Sequence, residues 1–281
     1  MSRKPTEQEL EEIFDDEVVQ ELGDGPAEDS PLLIVVVAQP GAGKTMAIAG
    51  LCQKYPDAVR VDSDAYRRYH PRFRKLMMSN PKKMADETGH AAGVWAGMAR
   101  DWLCARRRSL IVEATFSNPE TAKNIIAPFR QAGYRIQVVA LAVPAELSLM
   151  GTLSRYAHQA ESKMGGRWVK RQAHDKDFDK MPNTLDQQIR NKQIDEVTVL
   201  KRDGQELCHV VVSDKNCVQD AYQVGLAIAQ GRDFTQLSGV ERDQWDAGMK
   251  TIQDFIAKNP DEDRVKSLFD KLSVDGKKAG Y

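Results

Sequence analysis

The chain has 281 residues, enough to bury a full core as one large domain or as a domain with extensions. Hydrophobic content of 41% with 29% charged residues excludes a disordered chain. The 40 basic and 41 acidic residues leave a net charge of -1, without the cationic excess of a nucleic-acid binder. No run of 18 apolar residues suggests a membrane span, and MSRKPTEQELEEIF lacks the apolar core of a signal peptide. Cys52, Cys104, Cys208 and Cys217 show no CxxC spacing, so neither zinc nor a disulfide framework is expected. A reducing cytoplasm is the expected location, with no nucleic-acid or membrane partner.

Residues 6–22 read as an acidic helix, opened by a capping box at Thr6 and Glu9, with Leu10, Ile13, Val18 and Leu22 as its apolar stripe. A Gly, Pro and acid-rich linker follows at 23–30. PLLIVVVAQP then has the short, continuous, β-branched character of a strand buried on both faces. Similar runs at Ala58–Val61, Ser109–Val112 and Ile136–Val143 alternate with helical stretches, which predicts a parallel α/β sheet joined by crossover helices. Val197–Leu200 and Glu206–Val212, separated by KRDGQ, predict a terminal hairpin with an Asp-Gly turn. The triplet Arg106-Arg107-Arg108 reads as a solvated helix end. The expected organisation is a helix and linker at 1–30, an α/β domain at 31–232, and a peripheral helical extension at 233–281.

Residues 38–45, AQPGAGKT, match the phosphate-loop consensus at Gly43, Lys44 and Thr45, with Ala38 in place of the first glycine. Gly41 and Gly43 let the backbone curl so that amides point at phosphate oxygens. Lys44 is placed to reach the β- and γ-phosphates and Thr45 to offer a hydroxyl to Mg²⁺, at the positive end of the helix that follows. Gly41, Ala42, Gly43, Lys44, Thr45 and Met46 are therefore the expected cradle for ATP with Mg²⁺. Alanine is tolerable at 38 where φ stays negative.

In open parallel sheets, ligands bind beyond the carboxyl ends of the strands, and two acidic motifs fall there. Asp62 and Asp64 follow the strand ending at Val61. A carboxylate at this place can take a proton from an acceptor hydroxyl or hold Mg²⁺ through water. Glu113, at the end of SLIV, stands where a Walker-B acid would. The structural alternative for each is a carboxylate capping the next helix. Arg155, expected at the end of the apparent helix AELSLMGTLSRY, and Arg167, after the Gly165-Gly166 pair, are candidates for stabilising charge on a moving phosphate; a surface role is the alternative.

Taken together, these residues resemble the zeta toxin family, P-loop kinases of bacterial toxin–antitoxin systems, over roughly residues 6–213. QPGAGKT at 39–45 matches that family's phosphate loop, and VDSDAYRRYHPRF at 61–73 is similar to its acidic block. VEAT at 112–115 resembles IEGT, and the stretches around Arg155 and at 166–175 look like those that carry two lid arginines. The resemblance implies transfer of the ATP γ-phosphate to a sugar hydroxyl of UDP-N-acetylglucosamine, which blocks cell-wall synthesis. It implies Asp64 as general base and Lys44 and Thr45 on phosphate and metal; Asp62 remains a further metal candidate from its place at the strand end. Arg155 and Arg167 would hold the transferring phosphate, and Glu113 and Thr115 would line the sugar-nucleotide pocket. It also implies a separate small helical antitoxin.

The chain departs from the family pattern at Ala38, at Ala114, at Ser117 in place of a substrate-contacting arginine, and at a missing acid near Ala96-Gly97. The transfer machinery is retained while the acceptor pocket is partly rewritten. Two other functions fit the same loop: a small-molecule phosphotransferase, for instance one acting on an antibiotic, and a nucleotide-binding regulator without turnover. Asp64 argues against the regulator, which needs no base for an acceptor hydroxyl.

Overall fold

A computed structural model describes residues 4–79, 81–161 and 167–281. The N-terminal segment is helical: α1 (Glu7–Ile13) continues through a π-helical turn (Phe14–Val18) into α2 (Val19–Leu22). The capping box at Thr6 and Glu9 is present. Leu10, Phe14, Val18 and Leu22 are buried, so Phe14 takes the core position expected for Ile13, which is only half-buried.

Next come β1 (Leu32–Val37), α3 (Lys44–Lys54), β2 (Val59–Val61), α4 (Ser63–Tyr66), α5 (Phe73–Ser79) and α6 (Pro81–Ala105). β3 (Leu110–Ala114), α7 (Pro119–Gln131), β4 (Arg135–Leu141), α8 (Ala145–Glu161) and α9 (Arg171–Arg190) follow. The chain closes with β5 (Glu196–Leu200), β6 (Glu206–Val211), α10 (Cys217–Gly231), α11 (Gly239–Lys258) and α12 (Asp263–Ala279).

The strands form one six-stranded sheet in the order β2-β3-β1-β4-β5-β6, parallel except for the β5–β6 hairpin. This is the expected α/β architecture. β1 is buried on both faces because its side chains alternate. Leu33, Val35 and Val37 join a core with α6, α7, α9 and α10, while Ile34 and Val36 meet Ile48 and Leu51 of α3. The hairpin turns at Gly204, whose φ of 89° suits glycine.

Two expectations are corrected by tertiary contacts. The arginine triplet is not simply a solvated helix end. Arg107 donates to the carbonyls of Glu28, Asp29 and Ala132, and buried Arg108 donates to those of Leu22 and Gly23. Glu28 in turn accepts from the Ser109 amide, so the 23–30 linker is bound down onto the end of α6. The C-terminal helices are not peripheral either. Trp245, Ile252 and Phe255 of α11, with Val265 and Leu272 of α12, share a core with Leu147, Met150 and Leu153 of α8 and with Ala42. All four cysteines are free and half-buried. No helix among the described residues is long and apolar enough to cross a membrane.

That C-terminal layer is tied to the hairpin by a buried ion pair. Lys201 Nζ lies 2.7 Å from Glu241 Oε2, with Glu241 wholly buried. The Lys201→Met variant leaves this carboxylate without its counter-charge. It is expected to lower unfolding free energy by about 3–5 kcal/mol, measured by denaturant titration.

Candidate active site

β1 ends at Val37, and the chain turns through 38–43 into α3. Ala38 is buried and does not take positive φ, so the missing glycine is accommodated. The left-handed positions are Gly41, at φ 80°, and Gly43, at φ 97°. A Cβ at Gly41 would also lie 2.0 Å from the Ser148 carbonyl oxygen, so the loop presses on α8 and only glycine fits. The amides of Gly41, Gly43, Lys44 and Thr45 find no acceptor among the described residues. Four such donors at the turn into a helix suit an anion.

The base of the loop is held by side chains that sequence reading missed. Buried Gln39 donates through Nε2 to Val143 O at 2.9 Å and to Ser148 Oγ at 3.1 Å. Ser148 Oγ in turn lies 2.8 Å from Nε2 of buried His174 on α9. Burial pushes the His174 pKa down, although Asp175, 3.0 Å from Nδ1, works against it. From the opposite side, Arg202 of the hairpin turn donates to Gly41 O and, at 2.9 Å, to Gln244 of α11. No local signal marks these residues, since each acts through a partner distant in sequence.

Lys44 is buried, and its Nζ donates to Ala38 O at 2.8 Å and Gln39 O at 3.0 Å. It also lies 3.6 Å from Glu113 Oε1. Burial pushes its pKa below the ordinary lysine value, while Glu113 acts in the other direction. Ala42 is buried, while Thr45 and Met46 are exposed on the first turn of α3.

Strand register brings the acids to the loop. Val36 of β1 pairs with Glu113 of β3, and Val61 of β2 pairs with Val112, so Asp62 and Glu113 leave neighbouring strand ends. Asp62 makes the capping contacts weighed as its alternative. Its Oδ1 accepts from the amides of Asp64 and Ala65, and its Oδ2 pairs with Arg60 at 2.6 Å. Both Asp62 oxygens are thus engaged inside the protein, whereas Thr45 stands exposed on the first turn of α3. No group of three or more acidic, His or Cys residues among the described residues makes a metal site.

Asp64 lies between two arginines. Its Oδ1 accepts from Arg67 Nε at 2.8 Å and its Oδ2 from Arg167 Nη1. Partial burial would raise its pKa, but Arg167 and Arg67 outweigh that and hold it below the ordinary carboxylate value. Arg167 therefore reaches the site, although Gly165-Gly166 before it lie outside the described residues. Arg155 lies within α8 rather than at its end, and both Asp64 and Glu113 act on its charge. A cavity of about 250 Å³ opens beside these groups, lined by Asp62, Asp64, Glu113, Arg60 and Arg100. Thr115 stands beyond β3, its hydroxyl 3.2 Å from that of Ser117. Between them buried Phe116 takes φ 52°, an uncommon conformation for a bulky residue.

A parallel sheet with a phosphate loop after its central strand, and acids on the neighbouring strand ends, defines a P-loop kinase. The family model described as Zeta toxin matches residues 15–211, and the chain belongs to that family. It is 24% identical over 234 residues to Toxin PezT of Streptococcus pneumoniae serotype 4 (strain ATCC BAA-334 / TIGR4), covering 81% of this chain and 88% of that protein. It is 22% identical over 204 residues to Toxin zeta of Streptococcus pyogenes, covering 72% of this chain and 71% of the relative. A solved structure from the PezAT chromosomal toxin–antitoxin system of S. pneumoniae superposes with a TM-score of 0.72 at 19% identity. That match covers 91% of this chain and 99% of the other, and it shows the shared fold. A structure of AvrRxo1-ORF1:-ORF2 with ATP matches at TM-score 0.53 and 14% identity, covering 85% of this chain and 80% of that one.

Proposed function

We propose that the chain is an ATP-dependent toxin kinase that phosphorylates a sugar hydroxyl of UDP-N-acetylglucosamine or a related UDP-sugar. The observation that carries the reading is Asp64: a carboxylate kept ionised by Arg67 and Arg167, lining a cavity beside the phosphate loop. The acceptor oxygen attacks the γ-phosphorus, the bond from that phosphorus to the β,γ-bridging oxygen breaks, and ADP leaves. The proton of the acceptor hydroxyl passes to Asp64. Lys44 and the loop amides hold the phosphates, and Arg155 and Arg167 neutralise charge on the group in transit.

Mg²⁺ arriving with the nucleotide would be held by Thr45 and would shield phosphate charge. Mg²⁺ in such sites keeps several waters and takes much of its coordination from the substrate phosphates, so few protein oxygens are needed. The choice of a UDP-sugar rests on family membership rather than on the cavity. The toxin–antitoxin setting of the PezAT structure supports a separate small helical antitoxin. In the fold itself the N-terminal helix packs on α6, where Trp95 Nε1 donates to Leu10 O at 2.9 Å. That contact supports a packing role for residues 7–22, with inhibition left to another chain.

The test is to incubate the protein with ATP, Mg²⁺ and a panel of UDP-sugars and follow phosphate transfer by mass spectrometry. Mono-phosphorylation of one of them is expected. Nucleotide binding with no sugar phosphorylated would refute the reading.

A further inference from the structure

Charge pairing within the cavity leaves one side chain unaccounted for. Asp62 is paired with Arg60, Asp64 with Arg67 and Arg167, and Glu113 lies near Lys44. Arg100, on the same wall, makes no hydrogen bond or ion pair with any described residue. Burial pushes its pKa down, and only the carboxylate of Asp101 acts in the other direction. Asp101 is exposed and adjacent in sequence, and neighbouring helical residues do not face each other. Unlike Arg155, Arg100 has no carboxylate of the site acting on it.

The backbone beneath it is open. Gly93, Ala96 and Arg100 line the cavity together, three and then four residues apart on one face of α6. A Cβ at Gly93 would meet nothing within 4 Å, and one at Gly97 would lie 3.8 Å from Arg100 Nη2. The guanidinium thus folds back towards the start of α6, the direction helical side chains take. It stands over a floor of small residues, with room beside it for a ligand group.

We propose that Arg100 is the anion-recognising residue of the acceptor site, selecting an acceptor that carries phosphate rather than a neutral sugar or alcohol. This deepens the kinase reading and rests on it. A half-buried guanidinium with no ion pair among the described residues is costly to keep, and two oxygens of a phosphate can accept the parallel hydrogen bonds of its planar fork. Because Arg100 is paired with none of the charges around Asp64, it acts in binding and orientation and not in the transfer step. The shared chemistry is a phosphate ester, which either a nucleoside diphosphate sugar or a sugar phosphate supplies.

The test is calorimetric titration of the full chain, saturated with ADP and Mg²⁺, using UDP-N-acetylglucosamine, N-acetylglucosamine 1-phosphate and N-acetylglucosamine. At least one phosphorylated probe is expected to bind, with the neutral sugar at least about ten-fold weaker. Arg100→Ala should weaken the phosphorylated probes about ten- to hundred-fold. Arg100→Lys should recover part of the loss, and Arg100→Glu should deepen it. Preference for the nucleotide sugar identifies a nucleoside diphosphate as the source, and equal binding identifies a sugar phosphate. Three results overturn the proposal: unchanged affinity in Arg100→Ala, a neutral sugar bound as well as the phosphorylated ones, or no phosphorylated probe bound at all. Transfer from ATP is measured alongside. Arg100-dependent binding without transfer would sink the kinase reading and leave the anion site standing. Transfer indifferent to Arg100 would do the reverse.

Discussion

Replacing Asp64 by asparagine is expected to lower phosphate transfer about 10²- to 10⁴-fold while ATP still binds. Asparagine keeps the shape but only one oxygen acceptor, so one of the two arginines loses its bond here; Arg67 is still held by Ala85 O and Thr88 Oγ1, and the fold is undisturbed. What is lost is the site that receives the acceptor's proton. The rate–pH profile of the unmodified protein carries the same information. Burial alone would raise the Asp64 pKa, but Arg167 and Arg67 bring the net shift below the ordinary carboxylate value. The base form therefore persists as pH falls, and the acid limb of the profile should lie below the usual carboxylate range. Removing one of those cations in Arg167→Ala lets burial count for more, so the limb should move to higher pH. A limb that moves down, or stays in place, would show that Arg167 does not set the charge of Asp64.

The second large effect is expected at Lys44. Lys44→Met should reduce transfer about 10²- to 10³-fold, the scale of losing one preorganised donor to a developing phosphate charge. Its thermal midpoint should stay close to that of the unmodified protein. The ammonium makes two hydrogen bonds to loop carbonyls, but it is buried at the cost of its own hydration, as the lowered pKa records. Methionine forfeits the first contribution and is relieved of the second. A scanning calorimetry trace with a collapsed midpoint would instead make Lys44 a structural residue. If the protein arrests growth on expression, this variant should relieve the arrest.

Much of the fold was legible in local sequence. The β-branched run before AQPGAGKT could only be a strand buried on both faces, and β1 has that form. The alternation of apolar runs with helical spacers placed the parallel strands, and an Asp-Gly pair placed the hairpin. The phosphate loop was readable because its chemistry demands glycine at positions a few residues apart. Misreadings arose where a local signal pointed to solvent. Arg106–Arg108 looked like a charged helix end, and nothing in the triplet could show that Leu22, Gly23 and Glu28 would come to meet it. QWDAGMKTIQDFIAK looked polar enough for a periphery, yet Trp245, Ile252 and Phe255 lie on one buried face.

The phosphate loop, the sheet that carries it and the acids after β2 and at the end of β3 were determined by the sequence alone. Each depends on periodicity or backbone freedom within a few residues. The charge state of Asp64 was decided only by the tertiary structure, through Arg167, 103 residues away. So was the clamp from Arg202 to Gly41, across 161 residues, and so was the pairing that leaves Arg100 without an ion pair among the described residues. Side-chain partnerships are created by the strand order and by which helix faces meet, and neither is written in the spacing of any one segment.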